Sequence, residues 1–497
     1  MDMTIEDRIR RSLSTPLMSD DTIDPARELQ DILTSVGLDS EDTGGTITFL
    51  GKDPIISSPW PLATMAGVSL MAKAAAFAGV WKDRTGEGQH LSVDLRTVLH
   101  RLCPFYDRKW ELLNGYPPGA PSDPVNPFMP SYMYQTRDER WIQLLNIYPT
   151  TKSHALALLG CNDSVTAVAA AVRRHDGFAL EERFNAAGLQ ATVVRTADEF
   201  IATEQFSYLK DMPLVEITKI GDSDPVPFKP SPQTPLDGIR ATGVGHVIAG
   251  AGLGRALAYH GADVLNVWTP GDFEVDLVYY SANVGMRSSM LDLKAAEGMS
   301  RFRDLIRGAD IFFSNRRPGY LARHNLTAEQ LAEINPGLIH VDMSLYGWKG
   351  PWADRIGFDQ NAGGVSGVFT HEGTPERPKL TEIFVVNDFA MSWISSVAVA
   401  AALRRRAVEG GSYRIRISLA RLSLWLLHMG IFDKSYAAAI AGTAGGHEYF
   451  DPELFQAETP CGHYQGVTDQ VTMSRTPGFY ATPLVPRGAS RPEWLSS

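Results

Sequence analysis

The chain has 497 residues, 44% of them apolar and 21% charged, with a formal net charge of −11. That composition is ordinary for a globular protein, and the length suggests about two to four domains. The acidic balance disfavours a nucleic-acid partner. Cys103, Cys161 and Cys461 stand too far apart for a disulfide or zinc framework, so no metal is expected and a reducing compartment fits.

The opening stretch MDMTIEDRIRRSLSTP mixes acids with bases around no apolar core, which argues against a secretory signal and for a cytoplasmic protein. Residues 1–55 read as a polar N-terminal extension with one or two helices, such as Pro25 to Val36. Residues 56–115 contain an Ala/Gly-rich apolar stretch at 61–81, interrupted by Lys73. This reads as a buried helix packing with a larger domain and not as a membrane span, so no membrane partner is expected.

Residues 116–232 read as a small α+β domain. SYMYQTRDERWIQLLNI (131–147) suggests two strands around a charged turn, and QATVVRT (190–196) a third strand. Helical patterns occupy 152–160, 163–173, 178–187 and 197–210. From 233 to 440 strands alternate with helices, which predicts βαβ units and a doubly wound, Rossmann-like parallel sheet. Residues 441–497 read as a C-terminal tail.

Two stretches resemble each other without a gap. VSLMAKAAAFAGVWKDRTGEGQHLSVDL (68–95) and SWISSVAVAAALRRRAVEGGSYRIRISL (392–419) each give a small-residue helix, a glycine turn and an alternating strand. Gly86 falls opposite Gly410, and Thr64 opposite Asp388. A fainter echo joins VPFKPSPQTP (226–235) to VTMSRTPGFYATP (471–483). Asp388, in VVNDFAMSW, precedes the second helix, so by local pattern it is an N-cap. It is also an acid in apolar surroundings, where an ionised carboxylate is costly unless paired. The glycine turn GVGHVIAGAGLG (243–254) follows a predicted strand. The next strand ends in Trp268-Thr269 and lacks the acid that a dinucleotide fingerprint wants. Close packing of helix on strand is the simpler account of those glycines.

Five blocks in order resemble the family III CoA-transferases: PLDGIR (235–240), GHVIAGAG with GADVLNV, RSSMLDLK (287–294), SNRRPGYLARHNLT (314–327), and INPGLIHVDMSLYGWKGPWADRIGFDQNAGGVSG (334–367). The resemblance covers about 235–440, and 56–232 is similar to the later part of a family chain. It implies that Asp388 is the nucleophile, moving CoA between an acyl-CoA and a carboxylic acid, with a CoA thioester as substrate and no tightly bound cofactor. It implies ligand contacts at His246, Val247, Ile248, Asn315, Arg316 and Arg323, with Arg317 a further basic candidate. Asp359 and His246 are candidate acid/base groups. The racemase branch would want histidine where Phe358 stands. Thr269 and Met286 occupy positions that are basic in the family, and 116–130 carries no glycine-rich flap. The rearranged order predicts one active site per chain, between 116–230 and the face bearing Asp388; homodimerisation remains compatible. The alternatives are an isomerase, cyclase or lyase that uses Asp388 or Asp359 without CoA, and a non-catalytic scaffold.

Overall fold

The computed structural model describes residues 3–119, 133–383 and 386–495. Its centre is a seven-stranded sheet. In chain order the strands are β1 (Val215–Gly221), β2 (Arg240–Gly243), β3 (Asp263–Trp268), β4 (Arg287–Met290), β5 (Ile311–Ser314), β6 (Ile339–Ser344) and β7 (Ser412–Ser418). Across the sheet the order is β4-β3-β2-β5-β6-β7-β1. All pairings are parallel except that of β7 with β1. The central strand β5, IFFS, is buried throughout, as a parallel strand covered on both faces should be. The α/β parallel sheet predicted from the sequence is therefore present. Strand order reverses between β2 and β5, and ligands of such sheets bind beyond the carboxyl ends at that switch.

Five helices matter to the site: α1 (Leu62–Thr85), α2 (Ala249–Tyr259), α3 (Asp359–Ser366), α4 (Asn387–Glu409) and α5 (Leu419–Met429). Helix α4 packs against both α1 and α2. The glycines of α2 allow this approach, since a Cβ on Gly252 would lie 2.5 Å from Ser392 Oγ of α4. Ser392 Oγ also donates to the Ala249 carbonyl at 2.9 Å, tying the two helices together. Among the described residues α1 is the one helix long and apolar enough to cross a membrane, and its apolar window lies wholly inside the protein. Lys73, midway along it, is paired with buried Asp469, which also accepts Arg101 Nε at 3.0 Å.

Helices α1 and α4 hold the same place in two similar units. Ile47–Leu50 and Leu91–Asp94 pair in parallel on either side of α1 in the chain, and Val471–Met473 adds an antiparallel third strand. Strands β6, β7 and β1 repeat that order around α4. Gly86 and Gly410 end the two helices at positive φ, 77° and 66°.

The small domain has its own sheet (Tyr134–Gln135, Trp141–Gln143, Thr192–Val193) and its own core, including Ile142, Val168, Phe184 and Val193. Several boundaries differ from the sequence reading. Strand β1 lies within 116–232 yet joins the large sheet, where it packs on α4. The helix expected over 197–210 breaks into Ala197–Ile201 and Glu204–Lys210, because the Thr203 hydroxyl caps the second piece. Residues 1–55 contribute buried Leu29, Ile32 and Leu33 as well as the strand Ile47–Leu50. The expected tail is also structured: Leu454–Thr459 and Gly462–Val467 form a hairpin on Leu112–Leu113. Tyr464 in that hairpin is fully buried, and this apolar contact holds the segment down.

Candidate active site

A cleft of about 840 Å³ opens at the switch point between the small domain and the large sheet. Tyr148 and Gln190 enter from the small domain, His246 and Asn315 follow β2 and β5, and Asp388 enters from α4. The cleft thus joins the two regions that the sequence reading placed on either side of one site.

Asp388 is the second residue of α4 and is 6% exposed. It is not the cap of its own helix. That role falls to Asp359 at the start of α3, whose Oδ2 accepts the Asp388 backbone N–H at 2.8 Å and whose Oδ1 accepts Asn387 Nδ2 at 3.2 Å. The side chain of Asp388 is left with no hydrogen bond among the described residues, and it lines the cleft. Burial first, and then the Asp359 charge, hold the Asp388 carboxyl well above the usual range. Burial also raises Asp359, against the N–H groups that favour its ionised form.

The same cap recurs at α1. Asp53 Oδ2 accepts the Thr64 backbone N–H at 2.7 Å, and Asp53 is buried. Thr64 is the residue opposite Asp388 in the repeat. One unit therefore has a cap and a cleft carboxylate, and the other has the cap with a threonine.

The loop between β2 and α2 is held from outside. Asn315 Oδ1 accepts the His246 N–H at 2.9 Å, and its Nδ2 donates to the His246 carbonyl at 2.8 Å. Val247 sits at φ 53° and donates its N–H to Glu274 Oε2 at 2.7 Å. Burial pushes the Glu274 carboxyl up to about 7. His246 packs on Trp268 with ring centroids 4.4 Å apart, and its Nε2 lies 3.4 Å from Asp272. Burial pulls the imidazole down to about 4, so it is neutral near pH 7 and offers no charge to a phosphate.

These contacts revise the expected ligand set. Ile248 is buried and does not line the cleft, since its carbonyl is turned into the start of α2 to accept the Gly252 N–H at 2.7 Å. Arg323 is exposed and also lies outside the cleft lining. Arg316 does line it, but its guanidinium is engaged by both oxygens of Asp272, at 3.2 and 2.7 Å. Arg317, next in the chain, lines the cleft with no acidic partner among the described residues. Tyr148 and Phe273, whose aromatic rings come from separate segments, were not singled out by sequence. Neither were Asp272 and Glu274, although GDFEVD just past β3 offers an acid-rich signal. Among the described residues no group of three or more His, Cys, Asp or Glu could hold a metal ion.

Residues 236–460 match the family described as CoA-transferase family III. Over this segment, a little under half of its length, the chain is similar to that family. An acetyl-coenzyme A transferase from Hypoxylon pulicicidum is 28% identical over 61% of this chain and 55% of its own length. A succinate–glutarate CoA-transferase from Agrobacterium fabrum is 32% identical over 38% of this chain and 52% of its own. A crystal structure of a CAIB/BAIF family protein from Brucella suis is 25% identical, covers 46% of this chain and 65% of that one, and has a TM-score of 0.35. The chain spans about half the length of these curated relatives. Within the matched segment, Met286 is 1% exposed and lies under α2, where a Cβ on Gly254 would meet its Sδ. Thr269 turns its N–H to Asp272 Oδ2 at 2.9 Å. The positions that are basic in the resemblance are thus given over to packing and to a turn.

Proposed function

We propose that the protein transfers coenzyme A between an acyl-CoA and a carboxylic acid, with Asp388 as the nucleophile. The observation that carries this is the Asp388 carboxylate. It is buried at the base of the cleft, relieved of capping by Asp359, unbonded to the described residues, and set in a family III segment. A carboxylate oxygen attacks the thioester carbonyl, the C–S bond breaks, and CoA leaves as thiolate. The product is an acyl-aspartyl anhydride, which keeps the acyl group activated. The thiolate then attacks the aspartyl carbonyl and releases the first acid, leaving CoA on Asp388 as a thioester. The acceptor carboxylate attacks that thioester and expels the thiolate. Attack of the thiolate on the new acyl carbonyl forms the second acyl-CoA and returns Asp388 as a carboxylate. The amino end of α4 favours negative charge at this point.

The test is covalent capture. Incubation with acetyl-CoA should add CoA to the wild-type chain, mapped by mass spectrometry to the peptide containing Asp388. Asp388→Asn should carry no adduct and turn over at least about a thousandfold more slowly. Full turnover by Asp388→Asn would dismiss the assignment.

A second reading is favoured by the adjacency of two buried carboxyls and by the scarcity of unpaired cations in the cleft: acid/base chemistry at Asp388 and Asp359 on a substrate without CoA. Solvent-hydrogen exchange into a carboxylic acid with CoA absent would support it, and strict dependence on CoA would remove it.

A further inference from the structure

Resting on the transferase reading, we propose that the acid exchanged at Asp388 carries an aromatic or branched apolar group and no second carboxylate. Two independent features of the cleft lead there: an aromatic wall, and the way its charges are already matched.

The wall is assembled from three segments. The Tyr148 ring of the small domain lies 5.9 Å from Phe273, in the β3–β4 connection, and 5.9 Å from Phe358, which precedes Asp359. Phe273 is 42% exposed, although aromatic surface is normally covered, and it lines the cleft. Met391, three residues after Asp388 on the same helix, lines it too. An apolar acyl group held here would cover surface that is wet in the free protein. Rings with two rotatable bonds lose little freedom in doing so.

The charges point the same way. Arg316 is bound by Asp272, Arg355 by Glu181 and Glu182, and Arg414 by Glu329. Arg416 stands between Asp342 and Glu216 in the strand register. Among the described cleft residues, Arg317 and Arg416 are the two arginines without an ion pair, and Arg416 lies over the Trp348 ring at 4.9 Å. Segments 120–132 and 384–385, outside the described residues, contain no lysine or arginine. A CoA thioester brings several phosphate charges, and Arg317 and Arg416 are the two unpaired arginines that the cleft offers them. The distal carboxylate of a dicarboxylic acid would then enter the cleft beside Asp342, Asp354 and Glu329 with no cation left to pair it, which is unfavourable. This departs from the dicarboxylic acids named for the Agrobacterium relative.

The experiment uses the full chain with acetyl-CoA as donor and compares phenylacetate and isovalerate with succinate and glutarate as acceptors. The expected kcat/KM favours the apolar acids by at least about tenfold, and Phe273→Ser narrows that margin. Equal or faster transfer to the dicarboxylates overturns the proposal. A second measurement, competition between free phenylacetate and free succinate for the cleft followed by ligand-observed NMR, needs no turnover. Phenylacetate binding at least about tenfold tighter supports the proposal, and succinate binding as well or better overturns it. Silence of every acceptor in the transfer assay counts against the transferase reading, while the binding order still decides the nature of the acid.

Discussion

The backbone N–H of Asp388 donates to Asp359 Oδ2 at 2.8 Å, so one carboxylate fixes the backbone that carries the other. The Asp359 charge also helps to hold the Asp388 carboxyl in its neutral form. Asn at position 359 keeps an oxygen for the N–H and removes the charge. Asp388 then ionises at lower pH. Because attack on a thioester needs the carboxylate, the acid limb of the kcat/KM profile should move to lower pH in Asp359→Asn. A pH–rate series for transfer from acetyl-CoA checks this, and an unmoved limb would show that Asp359 is already neutral in the working protein.

Asp53 gives a stability counterpart away from the cleft. Burial raises its carboxyl from 3.8 to about 6, against N–H bonds from Thr64, Ala63 and Ile55. The folded state therefore holds the proton more tightly than the unfolded chain. The resulting stabilisation is complete below pH about 4 and lost as pH rises through about 6, a change of roughly 3 kcal/mol. Asp53→Asn retains an acceptor without the charge. Relative to wild type, it should be more stable at pH 8 than at pH 4 in urea unfolding, at about those two values.

Asp469 serves two buried cations, Lys73 and Arg101. Its carboxyl is held well below the usual range despite burial, chiefly by the charge of Lys73. Asp469→Asn strands both cations and should cost about 3–5 kcal/mol. Lys73→Met leaves Asp469 with Arg101 and should cost less. Denaturant midpoints for the two variants give the order directly, and the reverse order would refute the shared role of Asp469.

The contact of α2 with α4 is tight enough to report on the site. A Cβ at Gly252 would fall 2.5 Å from Ser392 Oγ and 3.2 Å from its Cβ. Gly252→Ala should cost about 1–3 kcal/mol through overpacking and slow transfer, because Ser392 lies one turn beyond Asp388. Adding Ser392→Ala removes the nearer atom and should recover part of both losses, measured as Tm and turnover.

Much of the large sheet was readable because βαβ units write alternating strand and helix patterns in local sequence. The likeness between 68–95 and 392–419 was visible for a similar reason, since helix, glycine turn and strand keep their spacing; Gly86 and Gly410 each end a helix at positive φ. Asp388 was singled out through its place in the family blocks, whereas its local pattern pointed to a cap. The true cap, Asp359, lies 29 residues earlier in the chain, and no local rule links the two. The aromatic wall was hidden for the same reason, since Tyr148, Phe273 and Phe358 meet only after the small domain docks. Arg316 shows a further limit. Its place in the family blocks suggested a ligand contact, but Asp272, delivered by another loop, takes up its charge. Strand β1 was assigned to the wrong domain because alternation identifies a strand without naming its neighbour.

The pairing of Leu91–Asp94 with Val471–Met473 has a consequence during synthesis. On the ribosome, the early sheet beside α1 has to wait with an open edge while residues 95–470 are made. Asp469, the counter-charge of Lys73, arrives in that same late segment. Until that segment arrives the helix carries an unmatched charge, and the third strand and the Lys73–Asp469 pair can form only together.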